Sequence, residues 1–265
     1  MTSTAGGVER DIPVLWQLRF SHYNEKARWA LDHKGIAHVR RSVLPGLHVL
    51  RARRLYGGQT LPALVLDGRV IGDSTGVVEE AERLRPQPAL YPPDPAARER
   101  ALALEDHFDE ELGPHVRRAL FYGLLPDRRC TADLFTVEFG PAVRGAYRLG
   151  LPFLTPLIRS AMKVDRPGAD VGRAKTVQAL DRIHAELGPA GYLVGDAFTV
   201  ADLTAAALLS PLVRPAQFGY PLPDCWPDAV EAFRDSVKDH PAFAWVIEMY
   251  RRHRGTSAAV NEQRF

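Results

Sequence analysis

The chain of 265 residues holds two cysteines, and they form no CxxC pair. A dithiol–disulfide active site is therefore excluded. With so few cysteines a disulfide framework is not expected: Cys130 and Cys225 read as free thiols in a reducing cytoplasm. Charge of one sign is also missing. Lys and Arg exceed Asp and Glu by only two, which argues against a protein built to bind nucleic acid. No run of twenty apolar residues occurs, so no membrane-spanning helix is expected. The richest apolar stretch, Leu149 to Met162, is too short and holds two prolines. The start, MTSTAGGVERD, lacks a basic segment followed by an apolar one, so no secretory signal is expected. The nine histidines are scattered without metal-ligand spacing, and no metal is expected.

What is present is ordered in two blocks. IPVLWQL (12–18) is an apolar run suited to a buried strand. A helix follows from about Tyr23 to Lys34, with Ala27, Ala30 and Leu31 at helical spacing and Gly35 as its stop. IAHVRRSV offers a weaker second strand, and PGLHVLRARRLYGGQ reads as irregular. ALVL and RVIG flank Asp67-Gly68, the pattern of a tight hairpin, and a helix begins at Ser74. Arg85 to Pro95 carries five prolines and reads as a linker. Beyond it no strand is expected. Helices are expected over roughly 95–124, 131–148, 151–163, 170–187, 199–212 and 227–252, the last broken near Pro241. The division is thus 1–85, a linker 86–95, and an all-helical 96–265.

Strand, helix, strand, hairpin and helix is the plan of an α/β thioredoxin-like domain. In that plan the reactive group sits where the first strand meets the first helix, because free N–H groups and the helix dipole stabilise an anion there. SHYN, Ser21 to Asn24, occupies the joint. Any thiolate handled there must come from a ligand. Ser21 has two readings, a helix cap or a hydroxyl that acts on that thiol. Pro62 of TLP stands at the hairpin entrance, and a cis Pro62 with the Leu61 main chain facing a cleft would suit a peptide ligand. Asp73 and Ser74 of GDST are good cap residues and also suit a carboxylate and an ammonium at a helix start. Nine Lys and Arg against two acids between Arg19 and Arg54 suggest a positive face.

SHYNEKARWAL, QTLPALVLDGRVIGDST and YLVGDAFTVADL together resemble the cytosolic glutathione S-transferase superfamily, bacterial-like and of no assigned class. Residues 12–85 resemble its glutathione-binding domain and 95–252 its helical C-terminal domain. The last motif, with Thr199 and Asp202, resembles a buried capping box that serves folding. The resemblance implies a serine-type enzyme, with Ser21 activating the glutathione thiol. No tyrosine lies near the end of the first strand, so the tyrosine-type mechanism is not expected. Gln59, Leu61, Pro62, Asp73 and Ser74 would bind glutathione as co-substrate, and His22 and Tyr23 would face a second, electrophilic substrate. Asp73 departs from the glutamate usual at its site. A cytoplasmic homodimer acting in detoxification is implied. The alternatives are a non-catalytic binding or assembly module, and a glutathione-dependent isomerase, dehalogenase or peroxidase on the same fold.

Overall fold

The computed structural model describes residues 11–137 and 139–265. The stretch read for a secretory signal, residues 1–10, lies outside the described residues, as does position 138 within the helix expected over 131–148. Strand β1 (Val14–Gln17) feeds helix α1 (His22–His33), which returns through β2 (His38–Ser42), parallel to β1. Helix α2 (Leu47–Tyr56) occupies the Arg-rich segment expected to be irregular. It is a surface helix with only Ala52 buried and Leu55 and Tyr56 packed beside it, a stripe too narrow to stand out among its arginines.

β3 (Ala63–Leu66) and β4 (Arg69–Gly72) form the expected hairpin, and β3 runs antiparallel to β1. Asp67 and Gly68 both take positive φ, 49° and 74°, as a two-residue turn matched to strand twist requires. α3 (Ser74–Leu84) completes a thioredoxin-like unit.

The helical part runs through α4 (Pro95–His107), a π-helical turn (Phe108–Leu112), α5 (Gly113–Leu124), α6 (Arg128–Phe135) and α7 (Pro141–Met162). It continues with α8 (Arg166–Glu186), α9 (Val200–Val213), α10 (Asp228–Asp235) and α11 (Pro241–His253). The break expected between the helices at 131–148 and 151–163 lies elsewhere: α7 runs through 149–150 with Pro152 and Pro156 inside it, and the chain breaks between α6 and α7 instead. α9 is buried along its whole length save Pro211 and packs against α1, α4 and α11.

Two further expectations are overturned. A strand does follow the helices: β5 (Ala259–Arg264) returns to the first sheet and pairs parallel to β2, giving the order β4-β3-β1-β2-β5. Its sequence, AVNEQR, is too polar to read as a strand, because it is an edge with most side chains in solvent. Cys130 and Cys225 are joined in a disulfide, Cα to Cα 5.7 Å, across 95 residues of chain. The free thiols are thus not found, and the argument from them to a reducing compartment falls away. Among the described residues no helix is long and apolar enough to cross a membrane.

Candidate functional site

Helix α1 is buried on nearly every side, from His22 through Asp32 apart from Tyr23. Its charges are therefore paired inside the protein. Glu25 meets Arg28 and Arg254, while Asp32 meets Arg40 and Arg254. Lys26 meets Glu105 at 2.8 Å and Asp109. Burial pushes the Glu25 carboxyl up, but Arg254 and Arg28 together outweigh it and hold it below the ordinary value. The positive face expected between Arg19 and Arg54 is narrower than the count suggests: Arg19, Lys26, Arg28, Lys34 and Arg40 are buried, and Arg41, Arg51, Arg53 and Arg54 remain at least partly exposed at the surface. Partners such as Glu82, Glu105 and Glu262 lie far along the chain, so counting local charge could not find them.

This burial fixes the start of α1. Asn24, fully buried, accepts from the Leu18 N–H at 3.0 Å and donates from Nδ2 to the Leu61 carbonyl at 2.9 Å. One side chain thereby ties the end of β1, the first helical turn and the hairpin entrance together. Arg19, two residues before Ser21, is held from β5 by Glu262 at 2.6 Å. Neither Asn24 nor Glu262 was singled out from sequence. The signal for Asn24 was its place at the joint; for Glu262 there was none.

Ser21 is the N-cap of α1 in extended conformation, and its carbonyl accepts from the Glu25 N–H at 2.9 Å. Its side chain makes no capping hydrogen bond. Ser21 is half-buried and lines a cavity of about 1000 Å³, the upper end of the usual range for a ligand site. The cavity lies between the ends of β1 and β2 and the helices α5, α6 and α7, and its walls are mostly apolar. Phe20, Leu120, Phe135, Tyr147 and Leu154 are among them.

The cavity brings Ser21, His22 and Gln59 together. Leu61, Pro62, Asp73 and Ser74 are not among its lining residues. The Leu61–Pro62 bond is cis, as expected. Leu61 and Pro62 are buried, however, and the Leu61 carbonyl is already occupied by Asn24; the main chain is less open than expected.

Asp73 is exposed and caps α3, accepting from the Gly76 N–H at 2.8 Å. Its backbone sits at φ 63°, ψ 169°, a region nearly reserved for glycine that costs another residue about 1–3 kcal/mol. Such strain is held where a side chain must point in one direction. Ser74 is buried behind it.

His22 and Tyr23 part ways. His22 is buried against the cavity, and its pKa is pulled down to about 3 by burial and by the positive charge of Arg117. The ring is neutral at physiological pH, and its Nε2 has no hydrogen-bond partner. Tyr23 does not line the cavity. Its hydroxyl donates to the Asp109 carbonyl at 2.7 Å, close against Gly113, where a Cβ would lie 2.1 Å from the hydroxyl oxygen. Burial raises the Tyr23 pKa above its ordinary value. The hydroxyl expected near a second substrate is thus engaged elsewhere.

Comparison with known proteins accords with this architecture. The glutathione S-transferase N-terminal domain model matches residues 15–89, and the C-terminal domain model matches residues 147–236. No curated protein matches the chain. The fold is similar to that of a theta class glutathione S-transferase from Xanthomonas axonopodis pv. citri, solved with glutathione bound. That likeness has 19% identity and TM-score 0.55 over 93% of this chain and 98% of that one. Beta-etherase LigF from Sphingobium sp. strain SYK-6 is similar at 20% identity and TM-score 0.59, over 89% and 98%. A glutathione S-transferase from Methylobacterium radiotolerans, in complex with glutathione sulfonate, is similar at 22% and 0.54, over 89% and 94%. At these identities the likeness speaks to fold. Together with the two domain matches it leads to one conclusion: this chain belongs to the glutathione S-transferase superfamily.

Proposed function

We propose that the protein is a glutathione transferase that conjugates glutathione to a small hydrophobic electrophile. The observation that carries the reading is the Ser21 hydroxyl. It stands at the start of a buried helix, is not used as a cap, and borders a large apolar cavity. A free thiol has a pKa of about 8.5 and is mostly protonated at neutral pH. A hydroxyl donating to the sulfur, helped by the N–H groups of the first helical turn, favours the thiolate. Each unit of lowering corresponds to about 1.4 kcal/mol of anion stabilisation. In this reading Ser21 activates the thiol, Gln59 and the main chain at Leu61 and Pro62 hold the peptide, and Asp73 with Ser74 holds its γ-glutamyl end. The thiolate attacks an electrophile bound on the apolar walls; proximity and a polarised nucleophile supply the rate. The glutathione bound in the similar theta class structure and the glutathione sulfonate in the Methylobacterium one support the choice of thiol.

A glutathione titration followed by melting temperature, together with turnover on a panel of electrophiles, tests the reading. Saturable stabilisation with turnover is expected. Stabilisation without turnover on any electrophile would make the chain a glutathione-binding module, and no stabilisation at all would remove glutathione from the account. Sedimentation of the same sample tests the homodimer that the family suggests.

A further inference from the structure

The apolar cavity contains a cation with nothing to neutralise it. Arg117 lies on α5, where Arg117, Leu120, Phe121 and Leu124 turn one helical face to the cavity. Its Nε is buried without a hydrogen-bond partner, and among the described residues no carboxylate pairs with it. The groups that act on its charge are Tyr23, bonded to Asp109, and Arg118, of like sign. Beside it stands His22, whose buried Nε2 is also unpartnered and whose ring feels the Arg117 charge. His22 directly follows Ser21, and Ser21, His22 and Arg117 all line the one cavity.

Arg41 and Arg159 also carry a buried Nε without a hydrogen-bond partner, but neither lines the cavity. Lys26, Arg28, Arg40 and Arg254 are all buried, and each has a carboxylate in contact. Arg117 is half-buried, with its Nε shut off from water and its pKa lowered by that burial; a desolvated charge without a partner is costly, and a ligand anion would offset that cost. A guanidinium presents two parallel N–H donors that fit a carboxylate and fit no apolar group.

We propose that Arg117 recognises an anionic group on the electrophile. The preferred second substrate is then a hydrophobic electrophile carrying a carboxylate, with the carboxylate on the Arg117 guanidinium and the electrophilic carbon at the sulfur beside Ser21. This deepens the transferase reading above and rests on it.

The test compares a chloronitrobenzoate with its methyl ester, which share ring and leaving group and differ in charge. With either probe the glutathione sulfur bonds to the carbon bearing chlorine, chloride leaves with the bonding pair, and the thiol proton passes to water. Wild-type kcat/KM, corrected for the uncatalysed reaction, is expected to favour the acid by about ten- to a hundredfold, the scale of a hydrogen-bonded charge pair. Arg117→Met should abolish that preference and Arg117→Lys should restore part of it. An acid-to-ester ratio that survives Arg117→Met overturns the proposal. So does a variant that only weakens glutathione binding, which would assign Arg117 to a carboxylate of the tripeptide.

Calorimetry with meta-nitrobenzoate, which has no leaving group, separates the two readings. Binding to wild type and not to Arg117→Met, without turnover of either electrophile, supports the anion site and defeats the transferase reading. Turnover of both electrophiles without charge preference, or no binding of meta-nitrobenzoate, defeats the anion site. If Arg117→Met does not fold, wild type still decides: inhibition by meta-nitrobenzoate but not by its methyl ester supports the proposal, and equal inhibition overturns it.

Discussion

Two helices in this protein begin alike and end up used differently. α1 starts at Ser21 with Asn24 three residues on; α9 starts at Thr199 with Asp202 three residues on. At α9 the polar pair closes on itself. Asp202 accepts from the Thr199 N–H and the Thr199 hydroxyl, both at 2.9 Å, and from the Leu193 N–H at 2.8 Å. At α1 the pair is open. Asn24 reaches past Ser21 to Leu18 and Leu61, and the Ser21 hydroxyl is left without a capping bond. One spacing thus yields a closed cap in the helical core and a free hydroxyl at a cavity. A hydroxyl spent on its own helix serves stability, and one withheld from it is available to a ligand.

The largest effect is expected at the closed cap. Asp202→Ala orphans two backbone N–H groups and a hydroxyl in a dry core and should cost about 3 kcal/mol or more, read as a fall in denaturation midpoint. The folded fraction should keep its turnover; lost turnover in folded protein would break the comparison. The pH dependence sharpens it. Burial raises the Asp202 pKa to about 6, above its unfolded value of about 4. The associated stability is present below about pH 4 and lost as pH rises through about 6. The stability gap between wild type and Asp202→Ala should therefore widen as the pH is lowered across that window. A gap that narrows contradicts the raised pKa.

Asn24→Ala comes next. Two buried bonds are lost, about 2 kcal/mol in all, and the Leu61 segment loses its tether to α1. Melting temperature and glutathione affinity should fall together. A fall in melting temperature alone would separate Leu61 from the binding site. Tyr23→Phe is the smallest change. It removes one hydrogen bond, about 1 kcal/mol, and should leave the ionisation of the bound thiol as in wild type.

The contrast between the helix starts also explains what the sequence could show. The hairpin was legible because Asp67-Gly68 has few other uses, and the α9 cap because Thr199 and Asp202 satisfy each other locally. Ser21 was legible as a joint but not as a role, since whether its hydroxyl is free depends on where Asn24 points. That is decided by Leu61, 37 residues away. The same limit hid Glu262, the Cys130–Cys225 pair, and Glu105 and Arg254 as partners of the α1 charges, all of them distant contacts. Arg117 stayed hidden for a further reason. What singles it out is its place on the cavity wall with no carboxylate paired to it among the described residues, and only the folded arrangement exposes that.

The central claim is that Ser21 is a thiol activator and not a cap. The most direct measurement is the pH titration of bound glutathione, followed by thiolate absorbance, in wild type and Ser21→Ala. Melting temperatures of the same samples serve as the control. The account predicts a higher apparent thiol pKa in Ser21→Ala, a conjugation rate lower by about tenfold or more, and a nearly unchanged melting temperature. An unchanged thiol pKa with stability lower by about 1 kcal/mol, the ordinary cost of a lost cap, would contradict it.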